Sequence, residues 1–125
     1  MRLLLDTQIF CWWFYAPERL SNQALERMHG AEETFVSSAS IWEVASKVRL
    51  GKIKADPKEL SHQIAPHGFL ELPVCSRHAL LVADLPLLHT DPFDRLLIAQ
   101  AISEPLNLLT ADPQLKQYSH LVIQV

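Results

Sequence analysis

The chain is poor in cysteine and has no long apolar run, and both features exclude classes of protein. Its 125 residues include two cysteines, Cys11 and Cys75, which form no CxxC pair. This excludes a disulfide framework and a zinc site, and we expect a reducing, cytoplasmic compartment. No apolar run approaches the roughly 20 residues that span a membrane. Asp6 interrupts the N-terminal apolar stretch, which argues against a signal peptide.

Glycine is also scarce, and the chain contains no repeat, low-complexity segment or linker. Two of the three glycines, Gly30 and Gly51, follow segments of helical periodicity and predict helix ends. A chain of this length can bury one sizeable core, so we expect a single domain over residues 1–125.

Positive charge is concentrated in one segment. The chain has 11 basic and 14 acidic residues, and its net charge of −3 argues against a nucleic-acid coat protein. The segment KVRLGKIK, residues 47–54, has no acid and contains four basic residues, Lys47, Arg49, Lys52 and Lys54. From charge alone, this segment is either a solvated helix end or a contact for nucleic-acid phosphates.

Short apolar runs alternate with segments of helical periodicity. Strands are predicted at residues 2–6, 34–37, 69–75, 106–110 and 120–125. Helices are predicted at 9–16, after Ser21, at 41–50, at 57–65, after Ser76 and at 92–103, with both serines as N-caps. This alternation predicts an α/β fold in which helices cover both faces of a central parallel sheet of about five strands.

Acidic residues stand where the predicted strands end or the predicted helices begin. Asp6 follows the first strand, and Glu43 lies in the first turn of the helix after the second strand. Asp94 opens the helix at 92–103, and Asp112 follows the fourth strand. Ligands of open parallel sheets bind at the carboxyl ends of the strands, so we expect these four side chains to meet at that edge.

Most of these acids also have a purely structural explanation. Asp6 can form a turn that caps the next helix, and Asp112 precedes a proline, which is a common loop signal. Ser40 and Glu43 match a capping box, in which the serine caps the helix and the glutamate reaches back. Glu43 can also pair with Lys47 one helical turn later, a contact worth only about 0.3–0.5 kcal/mol.

The segment HTDPFDRLLIAQA, residues 89–101, contains two acids with different expected roles. Asp91 is placed to cap a helix whose first residue is Pro92. Capping does not require Asp94, because one side chain already satisfies the helix end. Two carboxylates ~4 Å apart repel by about 4 kcal/mol at an effective dielectric constant of ~20. A carboxylate cluster must therefore hold protons or a cation, and oxygen ligands suit Mg²⁺ or Mn²⁺.

Four segments of the sequence resemble the PIN domain family: LLLDT, SSASIWEVASK, DPFDRLLIAQA and LLTADPQL. The resemblance is closest to the VapC-type toxins of prokaryotic toxin–antitoxin pairs and covers nearly the whole chain. It implies a three-layer α/β/α sandwich and a ribonuclease that depends on Mg²⁺ or Mn²⁺. It also implies an RNA substrate, a cognate antitoxin as partner, and a metal site lined by Asp6, Glu43, Asp94 and Asp112.

The sequence departs from the family at one position. Related chains often have histidine where this chain has Gln8, which cannot carry a proton. Any such role is absent or is supplied elsewhere, and His89 is a candidate. Around the acids, we expect Thr7 and Thr110 to orient carboxylates by hydrogen bonds, and Asp91 to support the site in addition to capping the helix. We expect Arg95 to join the basic segment in holding the RNA backbone.

The aromatic run CWWFY, residues 11–15, predicts a contact with another protein. Successive helical side chains are about 100° apart, so Trp12, Trp13, Phe14 and Tyr15 cannot all face one core. At least one aromatic ring should reach the surface unless the helix is buried on nearly every side. Exposed aromatic side chains often mark protein contacts, and we expect a homodimer as well as the antitoxin.

Two other functions fit parts of the sequence. A phosphatase with an aspartate nucleophile would need a second acid two residues after Asp6, where Gln8 stands. A binding module of the same fold could use the acids only as helix caps, and its stability would then not respond to divalent cations.

Overall fold

The computed structural model describes residues 1–125, which form five strands and six α-helices. The strands are β1 (Arg2–Leu5), β2 (Glu33–Ser37), β3 (Leu70–Leu72), β4 (Asn107–Thr110) and β5 (Val122–Gln124). The helices are α1 (Thr7–Tyr15), α2 (Asn22–Gly30), α3 (Ser38–Arg49), α4 (Pro57–Gln63), α5 (Ser76–Leu81) and α6 (Pro92–Ser103). None of these helices combines the length and apolar character that crossing a membrane requires.

The five strands form one sheet with the order β3-β2-β1-β4-β5, and every neighbouring pair is parallel. The central strand β1 pairs with β2 on one side and with β4 on the other. The strand order therefore reverses direction at β1, which makes the carboxyl ends of β1 and β4 a topological switch point. The predicted parallel α/β sheet is confirmed.

Two apolar cores lie on opposite faces of the sheet. Side chains alternate along a strand, and Leu3 and Leu5 pack with α1, α2 and α4, whereas Leu4 packs with α6. All three leucines are fully buried, and each such burial contributes roughly 1.5–3 kcal/mol to the free energy of unfolding. Helices thus cover both faces of the sheet, and the predicted three-layer α/β/α sandwich is confirmed.

Several predicted boundaries are confirmed by the hydrogen bonds at the ends of the elements. Helix α6 has the predicted bounds, and Asp91 caps it by accepting from the N–H groups of Phe93 and Asp94. Ser21 caps α2, as predicted. Gly51 follows α3 with φ at 72°, a left-handed conformation that glycine adopts at little cost.

The predicted capping box of α3 is wrong. Helix α3 begins three residues earlier than predicted, and its N-cap is Ser37, which accepts from the N–H group of Ala39. Ser40 is buried within the helix, where its hydroxyl accepts a hydrogen bond from Thr7. Glu43 consequently lies beyond the first turn of the helix and has no role in capping it.

The chain around β3 also differs from the prediction. Strand β3 covers Leu70–Leu72 rather than residues 69–75, because Pro73 has no N–H group to continue the strand pairing. The N-cap position of α5 is occupied by Cys75, and Ser76 is the first helical residue. The backbone N–H of Cys75 donates to the imidazole of His78, so this histidine rather than a serine supplies the partner.

Candidate active site

A cavity of about 360 Å³ opens at the carboxyl edge of β1 and β4. Its lining includes five carboxylates, those of Asp6, Glu43, Asp91, Asp94 and Asp112. These acids come from the ends of β1 and β4 and from the helices α3 and α6. The fold thus places the four predicted site acids, together with Asp91, around one space.

Asp6 lies at the base of this cavity and is almost completely buried, with 5% of its surface exposed. It caps α1, since its Oδ1 accepts from the N–H of Ile9 at 2.7 Å. Its Oδ2 accepts from the hydroxyl of Thr110. Burial raises the pKa of Asp6 to about 7, and the nearby charges of Asp94 and Glu43 act in the same direction. Capping therefore explains where Asp6 lies but leaves its negative charge uncompensated.

Only one of the two carboxylate oxygens of Glu43 has a hydrogen-bond partner. The side chain is buried, and its Oε2 accepts from Lys47 at 2.5 Å, so the predicted pairing one helical turn apart is present. Its Oε1 is buried and has no hydrogen-bond partner. An unsatisfied buried acceptor costs about 1–3 kcal/mol, and more when it is charged, so this oxygen is suited to receive a ligand.

Asp94 and Asp112 line the cavity and form a close group with His89, with one ligand atom from each residue within 4.8 Å of the others. The Nε2 atom of His89 lies 2.9 Å from Oδ2 of Asp94. Burial raises the pKa of Asp94 despite this contact, and the contact itself raises the pKa of His89. The pair therefore binds a proton more tightly than an isolated carboxylate or imidazole would.

Thr110 connects two of the acids, whereas Thr7 does not contact any. The hydroxyl of Thr110 donates to Asp6 and accepts from the backbone N–H of Asp112 at 3.0 Å. The hydroxyl of Thr7 donates to Ser40 at 2.9 Å, although Thr7 also lines the cavity. The expected hydrogen bond from Thr7 to a carboxylate is absent, because the Thr7 hydroxyl pairs with Ser40 of α3 instead.

The basic segment lies beside the cavity, and its four basic residues differ in burial and in whether they line the cavity. Lys47 and Lys54 line the cavity, and Lys47 is half-buried because it pairs with Glu43. The side chains of Arg49, Lys52 and Lys54 are exposed at the end of α3 and in the following loop.

The expectation that Arg95 holds RNA is wrong. Arg95 is buried, with 8% of its surface exposed, on the side of α6 away from solvent. Its guanidinium donates to the carbonyl oxygens of Val82 and Pro86 and to the hydroxyl of Tyr118. These contacts hold the loop before α6 in place, and no helical spacing in the sequence indicates that this loop folds back over the arginine.

The aromatic run divides between core and cavity. Tyr15 is 50% exposed, which confirms that at least one of these rings reaches the surface. Trp13 donates from its indole nitrogen to His67 and packs edge-on against Phe69. Trp12 instead lines the cavity that the acids share, together with Tyr15 and Ile53. The sequence indicated that the rings must spread around α1 but did not assign Trp12 to the cavity.

A second aromatic feature was missed from the sequence. Trp42 is 59% exposed and packs edge-on against Phe93, with ring centroids 4.7 Å apart. Each ring immediately precedes a site acid, Glu43 or Asp94. A tryptophan directly before an acid near a helix start is too common a pattern to have indicated this pair.

Comparison with known proteins agrees with this geometry. The family model described as the PIN domain matches residues 3–121. Ribonuclease VapC22 of Mycobacterium tuberculosis is 32% identical over 120 residues, which cover 94% of this chain and 92% of that protein. The resemblance to VapC-type proteins is thereby confirmed.

Solved structures share the fold at lower identity. VapBC2 from Rickettsia felis, bound to a DNA fragment from its promoter, superposes with a TM-score of 0.69 and 16% identity, covering 100% of this chain and 98% of that chain. A toxin–antitoxin complex from Klebsiella pneumoniae gives a TM-score of 0.67 and 17% identity, covering 98% and 96% of the two chains. On the match of the family model and of the mycobacterial relative, the chain belongs to the PIN domain family.

Proposed function

We propose that this protein is a ribonuclease that depends on Mg²⁺ or Mn²⁺ and acts as the toxin of a toxin–antitoxin pair. The observation that carries the proposal is the convergence of carboxylates from four structural elements on one cavity, in which Lys47 pairs with only one of them. The mycobacterial relative is named as a ribonuclease, which supports the same function. We further propose that residues 1–125 act as one domain.

The residues of the cavity fit a divalent cation. The buried Oε1 of Glu43 has no partner, and Asp6 remains a buried acid whose charge is uncompensated. Hard divalent cations prefer such oxygen ligands. We assign direct contact with the cation to Asp6 and Asp94, with Asp112 and Glu43 completing the site directly or through water.

The chain's own groups would then position RNA and move a proton. A bound Mg²⁺ supplies a water of lowered pKa and polarises a phosphoryl oxygen. Asp91 and Thr110 hold the neighbouring helix end and carboxylate in place. The Nε2 atom of His89 lies 2.9 Å from Oδ2 of Asp94, and His89 belongs to the same group as Asp112. We assign to His89 the proton-carrying role that Gln8 cannot fill.

The function is tested by a nuclease assay on a defined tRNA and a defined mRNA. We expect cleavage with Mg²⁺, none with excess chelator, and recovery when Mg²⁺ is restored, because the carboxylates alone repel the phosphate. Thermal unfolding with and without Mg²⁺ should show stabilisation by the cation.

Each rival function predicts a different result in these assays. Binding of RNA without cleavage, and without stabilisation by Mg²⁺, would indicate a binding module. Hydrolysis of a small phosphate monoester with intact RNA would indicate a phosphatase.

We propose that the exposed part of the basic segment holds the RNA backbone. Replacing Arg49, Lys52 and Lys54 with glutamine should lower the dependence of log Kd on log salt by about 0.7 for each phosphate that the variant no longer binds, the value for single strands. Cleavage at saturating RNA should change little. Lys47 is not replaced, because the loss of its ion pair with Glu43 would change the proposed metal site as well as RNA binding.

A matched variant controls for net charge in this binding measurement. Arg19, Arg27 and Lys58 are exposed basic residues outside the segment, and their replacement by glutamine removes the same charge. This control should leave the salt dependence nearly unchanged. If both triple variants behave alike, residues 47–54 are only a solvated helix end.

We also propose two protein partners, a cognate antitoxin and a second copy of this chain. Similar folds occur in solved toxin–antitoxin complexes. Exposed apolar side chains are present on the surface, among them Tyr15, Trp42 and Leu87. Sedimentation of the isolated protein at tens of micromolar tests the second copy, and a monomer there contradicts it.

A further inference from the structure

The cavity is lined by two unlike sets of residues, and the proposed cation accounts for only one of them. One set is the acids, and the other, here called the apolar set, is Trp12, Tyr15 and Ile53. An indole ring and an aliphatic side chain offer nothing to a divalent ion or to a phosphate. A ligand that fills the whole cavity must therefore carry an apolar, flat group beside its charged one.

The apolar set is held in place by specific contacts. The backbone N–H of Asp56 donates to the hydroxyl of Tyr15 at 3.1 Å, which fastens the loop after α3 against α1. The same loop carries Ile53 and Lys54 to the cavity. Gly51, with φ at 72°, turns the chain out of α3 toward this position.

The two adjacent tryptophans of α1 have separate environments. Trp13 packs on the core side of α1, where it donates a hydrogen bond to His67 and contacts Phe69 edge-on. Trp12 is only half-buried and borders the space that the acids enclose. Core packing accounts for Trp13, but it does not account for the part of Trp12 that faces the cavity.

We propose that Trp12 and Ile53 form a base-binding subsite for one unpaired nucleotide next to the phosphate that is cut. This inference rests on the proposed ribonuclease function and adds to it the residues that bind a base of the RNA. Aromatic rings stack on any base, and the acids with their cation would hold the adjoining phosphate. Lys54 lines the same cavity and is free of the pairing that occupies Lys47, so it can bind a neighbouring phosphate.

The size of the cavity agrees with this occupant. Its volume of about 360 Å³ is at the lower end of ligand pockets, which span roughly 300–1,000 Å³. A base that remains paired and stacked in a duplex cannot pack against the apolar set without being extruded, which costs a few kcal/mol. An unpaired base enters without that cost.

The other exposed aromatic pair is a weaker candidate for this role. Trp42 packs edge-on against Phe93, so the two rings cover part of each other. Neither ring lines the cavity with the acids. The Trp42 pair is therefore placed to contact RNA or protein outside the cavity, and the experiment distinguishes the two tryptophans.

The test uses the three tryptophans as separate reporters in an Asp94→Asn background that does not cleave RNA. An unpaired hexaribonucleotide is titrated into this protein and into three derivatives with Trp12→Phe, Trp13→Phe or Trp42→Phe. Stacking quenches tryptophan emission, so the quenching should disappear with Trp12→Phe and persist in the other two. The same hexamer paired in a duplex should bind at least about tenfold more weakly, since extruding its base costs free energy.

A kinetic comparison separates base stacking from packing of the helix. In the active protein, Trp12→Leu should raise KM on the order of tenfold with a smaller change in kcat, because the base no longer stacks on an aromatic ring. Trp12→Phe should restore most of the affinity, since phenylalanine still stacks. Trp13→Leu is the matched control, which should reduce thermal stability without raising KM.

Several results would overturn the subsite, and they differ from failure of the ribonuclease itself. Quenching that survives Trp12→Phe and disappears with Trp42→Phe assigns the base to the exposed pair instead. Equal binding of paired and unpaired hexamers, or an unchanged KM in a folded Trp12→Leu variant, also contradicts it while cleavage persists. If the wild-type protein fails to cut RNA but Trp12-dependent quenching remains, the ribonuclease proposal fails, whereas the assignment of base binding to Trp12 is retained.

Discussion

Replacing Asp94 with asparagine is expected to lower RNA cleavage by at least about a hundredfold while the fold survives. Loss of a residue that only supports a metal ligand typically costs 10–100-fold, and the cation contact assigned to Asp94 should cost more. The change also removes the carboxylate that holds His89 at 2.9 Å. Asp6→Asn should have an effect of similar size, because Asp6 lies at the base of the same cavity.

Asp91→Asn is the matched control for this prediction. Asp91 accepts from the N–H groups of Phe93 and Asp94, and asparagine caps a helix as well as aspartate does. This variant should retain cleavage within a few-fold of the wild type. The site is misassigned if Asp94→Asn cleaves at the wild-type rate, or if the Asp91 and Asp94 variants lose activity equally.

The sequence predicts the fold and the acid edge because both depend on local patterns. Apolar runs alternate with helical periodicity, and in a parallel sheet this leaves few arrangements of the chain. Asp6 directly follows β1 and Asp112 lies two residues after β4, and these two strands are neighbours in the sheet. The same rule that places strand ends together therefore places these two acids together.

The errors concern side chains whose partners lie far away in sequence. Arg95 looks like an exposed helix residue until the loop at Val82 and Pro86 folds over it. Ser40 looks like a cap until Thr7 of a different helix donates to it. Spacing along a helix indicates which residues share a face, but it does not indicate which loop covers that face.

The second large effect concerns stability and arises from the burial of Asp6. Burial raises the pKa of this carboxyl to about 7 in the folded protein, whereas an unfolded aspartate titrates near ~3.9. Below about pH 4 Asp6 is protonated in both the folded and the unfolded protein, and its burial does not lower the free energy of unfolding through a charge. Between about pH 4 and pH 7 the folded state keeps a proton that the unfolded state releases, so stability falls as the pH rises. The loss levels off above about pH 7.

The size of this loss in the free energy of unfolding follows from the shift in the pKa of Asp6. Three pKa units at about 1.4 kcal/mol each correspond to a penalty on the order of 4 kcal/mol in the free energy of unfolding at pH 8. Asp6→Asn removes the titrating group and keeps its shape, with an oxygen for the N–H of Ile9 and an amide facing Thr110. The variant should therefore be more stable than the wild type at pH 8, and equally stable at pH 4.

Chemical denaturation of both proteins from pH 4 to pH 8, without divalent cation, measures this difference. Glu104→Gln gives a control of opposite sign, because its contacts with His78 and Arg77 lower the pKa of Glu104. The stability that those contacts add is present above the unfolded pKa of glutamate and is lost as the pH falls below it, so this comparison is extended below pH 4. The proposed Mg²⁺ would require the ionised form of Asp6, so its stabilising effect on the wild type should be larger at pH 8 than at pH 5 and smaller in Asp6→Asn. A difference between wild type and Asp6→Asn that does not vary with pH would show that Asp6 is ionised in the folded protein throughout this range.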